Sequence, residues 1–158
     1  PQPIITQALL LAADIPVFAG VGGGLTQGQR VVNLAMFAEM QGATGVVVNA
    51  PISDEVISRI KQVVDIPVIA TIVSERMDIR SRMEAGADFL NVSGATATPQ
   101  IVRSIRAQFP DVPILATGGP NEKTILETIR AGANAITYSP PSNGELFADI
   151  MQKYRGKL

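Results

Sequence analysis

The chain has 158 residues, 46% hydrophobic and 17% charged, with a formal net charge of -1, so it can bury one sizeable core and carries no broad basic field for nucleic acid or an anionic membrane. It contains neither cysteine nor histidine, which excludes disulfides, thiolate nucleophiles, cysteine zinc sites and the Ser-His-Asp triad, and removes the commonest general base. Any chemistry falls to carboxylates, Lys, Arg, Tyr and hydroxyls.

Residues 4–14 (IITQALLLAAD) have a helical composition and lead into a short apolar strand over 15–19, closed by the glycine run of residues 20–24. Thr26 then stands as the cap of a helix over 27–41, with Val31, Leu34, Ala35 and Ala38 on one face and Gly42 as its C′ glycine. A strand over 45–50 follows. Ser53 or Asp54 caps the next helix, which carries Val56, Ile57, Ile60 and Val64 at helical spacing.

The pattern then returns. Asp14-Ile-Pro-Val17, Asp65-Ile-Pro-Val68 and Asp111-Val-Pro-Ile114 form one series, and Gly42-Ala-Thr44, Gly86-Ala-Asp88 and Gly132-Ala-Asn134 form a second, interleaved one. The unit is strand, helix, strand, helix, and apolar strands alternating with amphipathic helices predict a parallel sheet covered by helices. The fold class is α/β. Four units would close a TIM-type (β/α) barrel of ~250 residues, whereas the three copies present predict six of its eight strands. Residues 1–158 therefore read as one barrel domain lacking an N-terminal β/α/β/α quarter of about 50 residues by the spacing of the repeats. Were the chain complete, its first and last strands would leave open edges that favour a partner chain or a swapped homo-oligomer; a doubly wound open sheet is the runner-up architecture.

In parallel α/β folds, ligands gather at the carboxyl ends of the strands. Asn49, Thr71, Asn91, Ser93 and Thr117 stand at those ends as polar residues closing apolar runs, where they would bind substrate or hold ordered water. In the loop 74–78, Glu75 is placed to serve as general base if desolvated and Arg76 as an electrostatic clamp. A plain helix start, with Ser74 as cap and Glu75 and Asp78 in the first turn, accounts for the same residues. Gly118 and Gly119, with Ser139, Asn143 and Gly144 before the last helix, form a candidate phosphate site. The alternative is that the two glycines serve only their turn. Glu145 beside that helix start argues mildly against an anion. The glycine run at 20–24 could cradle phosphate or act as a flexible mouth loop, but it lacks the G-x-G-x-x-G spacing of a dinucleotide fingerprint.

Two resemblances sharpen this. The stretch from Ile15-Pro-Val-Phe-Ala-Gly through Gly45-Val-Val-Val-Asn-Ala-Pro51 resembles the third and fourth strands of class I aldolases of the dihydrodipicolinate synthase type. Residues 66–141 are similar to the ribulose-phosphate-binding barrels, which include the acylhexosamine-phosphate epimerases and ketohydroxyglutarate aldolases. That second resemblance implies a substrate phosphate at Gly118, Gly119 and Ser139. The aldolases' Schiff-base lysine does not carry over, because Asn91-Val-Ser93 stands at its place, and Thr117 replaces the carboxylate of the epimerase pattern. The expected activity is that of a lyase or isomerase acting on a small phosphorylated sugar or oxo-acid, without a Schiff-base lysine. A non-catalytic metabolite-binding barrel is the alternative, and a flavin mononucleotide-binding oxidoreductase a third reading. No cofactor and no metal are expected. The expected partner is a small phosphorylated metabolite, not nucleic acid or membrane. No apolar run reaches the ~20 residues of a membrane helix and no leader pattern stands at residue 1, so a cytoplasmic location is expected.

Overall fold

The computed structural model describes residues 2–156. After helix α1 (Pro3–Ala12), strands and helices alternate: β1 (Phe18–Gly22), α2 (Gln29–Met40), β2 (Gly45–Val48), α3 (Asp54–Lys61), β3 (Val68–Ile72), α4 (Ile79–Glu84) and β4 (Phe89–Val92). A single 3-10 turn (Ala95–Ala97) leads into α5 (Thr98–Gln108), followed by β5 (Ile114–Thr117), α6 (Glu122–Arg130), β6 (Ala135–Thr137) and α7 (Asn143–Arg155). All five strand pairings are parallel and the spatial order is the chain order, β1 to β6, in one curled sheet. Short apolar strands cannot pair in parallel without a crossover, and each crossover here is the amphipathic helix that the sequence supplies next.

Alternation along the strands divides the side chains between two faces. Ala19 and Val21, Val46 and Val48, and Val68 and Ala70 enter one core with Val31, Ala35, Ile57 and Ile60 of the helices. Ile72, Leu90, Val92, Ile114 and Ala116 enter a second core with Ile101, Val102 and Ile105 of α5. Fully burying each Val, Leu or Ile stabilises the fold by about 1.5–3 kcal/mol. The alternate residues, from Phe18 to Thr137, face the concave side of the sheet.

Hydrogen bonding explains the repeat. Thr44, Asp88 and Asn134 each donate a backbone N–H to the carbonyl of Val17, Val68 and Ile114 respectively, at 2.8 Å in all three cases. Their side-chain oxygens accept the N–H of those same residues, at 3.2, 2.8 and 2.9 Å. The third residue of Gly-Ala-Xaa and the fourth of Asp-Xaa-Pro-Xaa thus close a two-bond ring at alternate strand junctions. Gly86 and Gly132 sit beneath a side chain of the previous unit: a Cβ there would lie 2.9 Å from Lys61 Cγ or 3.2 Å from Arg106 Cγ. Lys61 goes on to pair with Asp88 at 2.8 Å, and Arg106 donates to Gly132 O and Asn134 Oδ1, each at 2.8 Å.

Two expectations are corrected near the start. The first strand begins at Phe18 rather than Ile15 and takes in Gly20 and Gly22. Thr26 is not a cap: α2 starts at Gln29 behind Gly28, which has φ 60° and offers no side-chain acceptor. The reason is a tight turn in which Gly23 N donates to Thr26 O at 2.9 Å and Gln27 Nε2 donates to the carbonyls of Gly23 and Gly24. Ser53 does cap α3, accepting from Val56 N.

The two terminal helices differ from the rest. Neither α1 nor α7 contains a buried residue among those described, and both expose apolar side chains, including Ile4, Leu9 and Leu11 on α1 and Phe147, Ile150 and Tyr154 on α7. β1 and β6 each pair on one side only.

Candidate functional site

The concave face is apolar at one end and polar at the other. Val47, Ile69 and Phe89 lie in register across β2 to β4, and one layer further along Thr71, Asn91, Leu115 and Ala135 line up across β3 to β6. Thr117 and Thr137 are in register at the last layer, beside Ser93 just beyond β4. The expected residues Thr71, Asn91, Ser93 and Thr117 are thus gathered at the carboxyl end of the sheet, on one face. Asn91 Nδ2 donates to Thr71 Oγ1 at 3.2 Å, which orients the amide and leaves its second N–H, its carbonyl and the threonine hydroxyl hydrogen for other partners. Thr71 is buried, and Asn91, Ser93 and Thr117 are half-buried. Asn49 lies one residue past β2 and is exposed, its N–H donating to Gly22 O at 2.8 Å. Thr137 escaped the sequence reading, although the alternation that exposes Thr117 places it on the same face.

The Gly118-Gly119 corner follows β5. Gly118 N donates to Thr137 O at 3.0 Å, so this N–H is used by the sheet and does not face an anion, contrary to its expected part in a phosphate cradle. A Cβ on Gly118 would sit 2.6 Å from Ile136 Cγ2 and 2.8 Å from Ile125 Cγ1, so close packing demands the glycine. Gly119 has φ 80° and lies against Thr124, which forms a capping box with Asn121 at the start of α6. Beside this corner a cleft of about 420 Å3 opens between the start of α5 and α6, reaching from Ala95 and Thr98 to Thr124 and Thr128 with Thr117 in its wall. Sequence reasoning marked the loop after β4 but did not single out Ala95, whose φ of 52° is the one positive value among the described non-glycine residues. A left-handed alanine costs of order 1–3 kcal/mol and clusters at ligand-contacting turns.

Ser139, Asn143 and Gly144 do not join the cleft; all three are exposed at the entry to α7. That helix start is already satisfied. Ser142 caps it, and Glu145 accepts from Ser142 Oγ and Ser142 N, both at 2.7 Å. These bonds, the side-chain one foremost, hold the Glu145 carboxyl below its ordinary range, so a carboxylate stands at the helix start proposed for phosphate. In the glycine run, Gly23 N is taken by Thr26 O and a Cβ on Gly23 would lie 2.9 Å from the backbone of Asn49, so close packing on the neighbouring loop demands that glycine.

Glu75 and Arg76 lie in the loop between β3 and α4, and both are exposed. The desolvation that a general base at Glu75 calls for is not present. Glu75 instead lines a groove of about 500 Å3 with Arg80, Ser104, Gln108 and Phe109, on the helix side of the sheet and apart from the polar band. Ser74 accepts from Arg76 N, whereas Asp78 rather than Ser74 caps α4, accepting from Ser81 N at 3.0 Å. Among the described residues no strand ends in lysine, and no three His, Cys, Asp or Glu side chains gather as a metal site.

No protein-family model matches the chain, and no curated protein does. Many solved structures share its architecture. An aldolase designated QR15 superposes with a TM-score of 0.73 at 19% identity, covering 96% of this chain and 80% of its own. A 2,3-dimethylmalate lyase of the PEP mutase/isocitrate lyase superfamily gives 0.69 at 17%, covering 99% and 64%. A phosphonopyruvate hydrolase gives 0.67 at 18%, covering 97% and 63%. The chain has a TIM-type (β/α) fold, six parallel strands of it in a curled half-barrel. It spans about two thirds of the length of the lyase and hydrolase it superposes on, and its six strands follow the same parallel (β/α) course.

Proposed function

We propose that the chain belongs to a lyase acting on a small 2-oxo acid, whose carboxylate and carbonyl are held by the polar band of Thr71, Asn91, Ser93 and Thr117. The observation that carries this reading is the band itself: an apolar concave face ends in hydroxyl and amide groups, one pair of which is already fixed by the Asn91–Thr71 hydrogen bond. Neutral donors held in place suit a carbonyl oxygen that takes up enolate charge as the bond between its α and β carbons breaks and the β-hydroxyl gives up its proton, because they need no reorganisation during the reaction. The aldolase and lyase among the structural neighbours support the same class. Of the two carboxylates in the β3–α4 loop, Asp78 caps α4, so Glu75 is the one left to serve as base, and that service requires the loop to fold over the band.

A retro-aldol assay over a panel of 2-oxo acids tests the proposal. Removing one preset donor, Asn91→Ala, lowers kcat about 10²–10³-fold while melting remains cooperative. Turnover insensitive to Asn91→Ala overturns it.

One observation favours the non-catalytic alternative: none of Asn49, Thr71, Asn91, Ser93, Thr117 and Thr137 can take up a proton near neutral pH. Stabilisation by pyruvate without turnover, and no effect of Glu75→Gln in any assay, decides for a metabolite-binding barrel. The isomerase form and the phosphorylated substrate depend on an anion at the Gly119 corner. A thermal-shift panel of inorganic phosphate and flavin mononucleotide tests for that anion.

A further inference from the structure

The cleft beside Gly119 shares Thr117 with the polar band and so adjoins it. Its chemistry is one-sided. Lining it are Thr96, Thr98, Thr117, Thr124 and Thr128, the prolines 99 and 120, and a single charged side chain, Glu127. Neither an arginine nor a lysine lines it. The two prolines remove N–H groups from the rim, Gly118 N is held by Thr137 O, and Thr124 N is held by Asn121 Oδ1 at 3.0 Å. Thr128 Oγ1 donates to Thr124 O, and Thr98 Oγ1 accepts from Gly94 N, which leaves the Thr98 hydroxyl hydrogen and the hydroxyls of the lining residues Thr96 and Thr117 available to a ligand. Glu127 is half-buried, and the ion pairs found among the described residues, Lys61–Asp88 and Arg82–Asp54, do not include it.

A phosphate placed here would meet a carboxylate of its own sign and no cationic side chain in the lining, with the N–H groups of Gly118 and Thr124 already bound elsewhere. A hydroxylated chain would find carboxylate oxygens to donate to and threonine hydroxyls to bond with in either sense. We infer that this cleft is a substrate subsite for an uncharged, hydroxyl-bearing chain, and that Glu127 is its specificity-determining residue, rejecting a phosphorylated tail. The inference rests on the oxo-acid reading for the reacting end only.

The test is a backbone amide titration of the protein with a matched pair, xylitol and xylitol 5-phosphate, with pyruvate as a separate probe of the band. Xylitol is expected to move the amides of Thr98, Gly119, Thr124 and Thr128 with at least tenfold lower Kd than its phosphate, and Glu127→Lys to reverse that order. Glu127→Gln, which keeps the size of the side chain and removes its charge, should bring the two ligands within about twofold of one another. Tighter binding of the phosphate by the unaltered protein overturns the inference, as does xylitol leaving those amides unmoved or Glu127→Gln leaving the ratio unchanged. Pyruvate shifting Asn91 and Thr71 while xylitol leaves the cleft unmoved removes the subsite and keeps the oxo-acid site. The converse result supports the subsite and removes the oxo-acid reading.

Discussion

A single methyl group tells Gly119 and Gly24 apart. At Gly119 the backbone has φ 80°, and a Cβ would stand 2.6 Å from Thr124 Oγ1, inside the capping box that starts α6. Gly119→Ala is therefore expected to destabilise the protein by about 1–3 kcal/mol, seen as a lower urea midpoint with an unchanged slope. At Gly24 the nearest group to a Cβ would be Asn49 Nδ2 at 3.5 Å, an ordinary contact, so Gly24→Ala should stay within about 0.5 kcal/mol. Glu145 gives a second residue-scale expectation. Its carboxyl is depressed below 4.5 by the hydroxyl and then the N–H of Ser142. A depressed acid contributes stability above its unfolded value and loses it as pH falls through the lower folded value. A carboxyl-carbon NMR titration should place its midpoint below 4.5, and Ser142→Ala should move it upward.

At the scale of elements, the two-bond rings grade the strand junctions. Asn134→Ala leaves the N–H of buried Ile114 without its acceptor and frees a partner of Arg106, which should cost about 1–3 kcal/mol by chemical denaturation. Thr44→Ala removes the equivalent bond at Val17, which is solvent-accessible, and should cost less. The same rings show why so much of the fold was legible. A Gly-Ala-Xaa triplet and an Asp-Xaa-Pro-Xaa quartet each hold a fixed place in a strand-helix unit, so their recurrence reported topology directly. The bounds of β1 were not legible, because Ile15, Pro16 and Val17 have strand composition while parallel pairing with β2 starts only at Phe18. For the site, the polar residues closing apolar strands were readable as strand-end groups, but not that Thr71, Asn91, Ser93 and Thr117 share one face while Asn49 lies exposed past β2. The partner of Gly118 N was not, since a glycine pair has the same letters whether its N–H groups serve a ligand or the neighbouring strand. Nor could spacing tell that Glu75 would turn toward α5.

For the molecule as a whole, packing is uneven. The middle of the sheet is buried on both sides, with Val46, Val68, Ile69 and Leu90 at 0% exposure, while α1 and α7 bury none of their described residues. Hydrogen exchange should consequently be slowest in β2 to β4 and fastest in α1 and α7. Bare strand edges and apolar helix faces also invite association. Sedimentation should show concentration-dependent self-association that the double change Leu11→Glu and Phe147→Glu reduces.

The rings reach back only 20 to 27 residues along the chain. Each unit can therefore close its own clasp as soon as it leaves the ribosome, with no need to wait for distant sequence. A protein knotted together in this way grows by addition: duplicating or exchanging a stretch that begins at one Asp-Xaa-Pro-Xaa quartet and ends before the next carries its clasp with it. The same property makes the loops ahead of those quartets the natural places to cut and rejoin the chain, as in circular permutation or domain grafting.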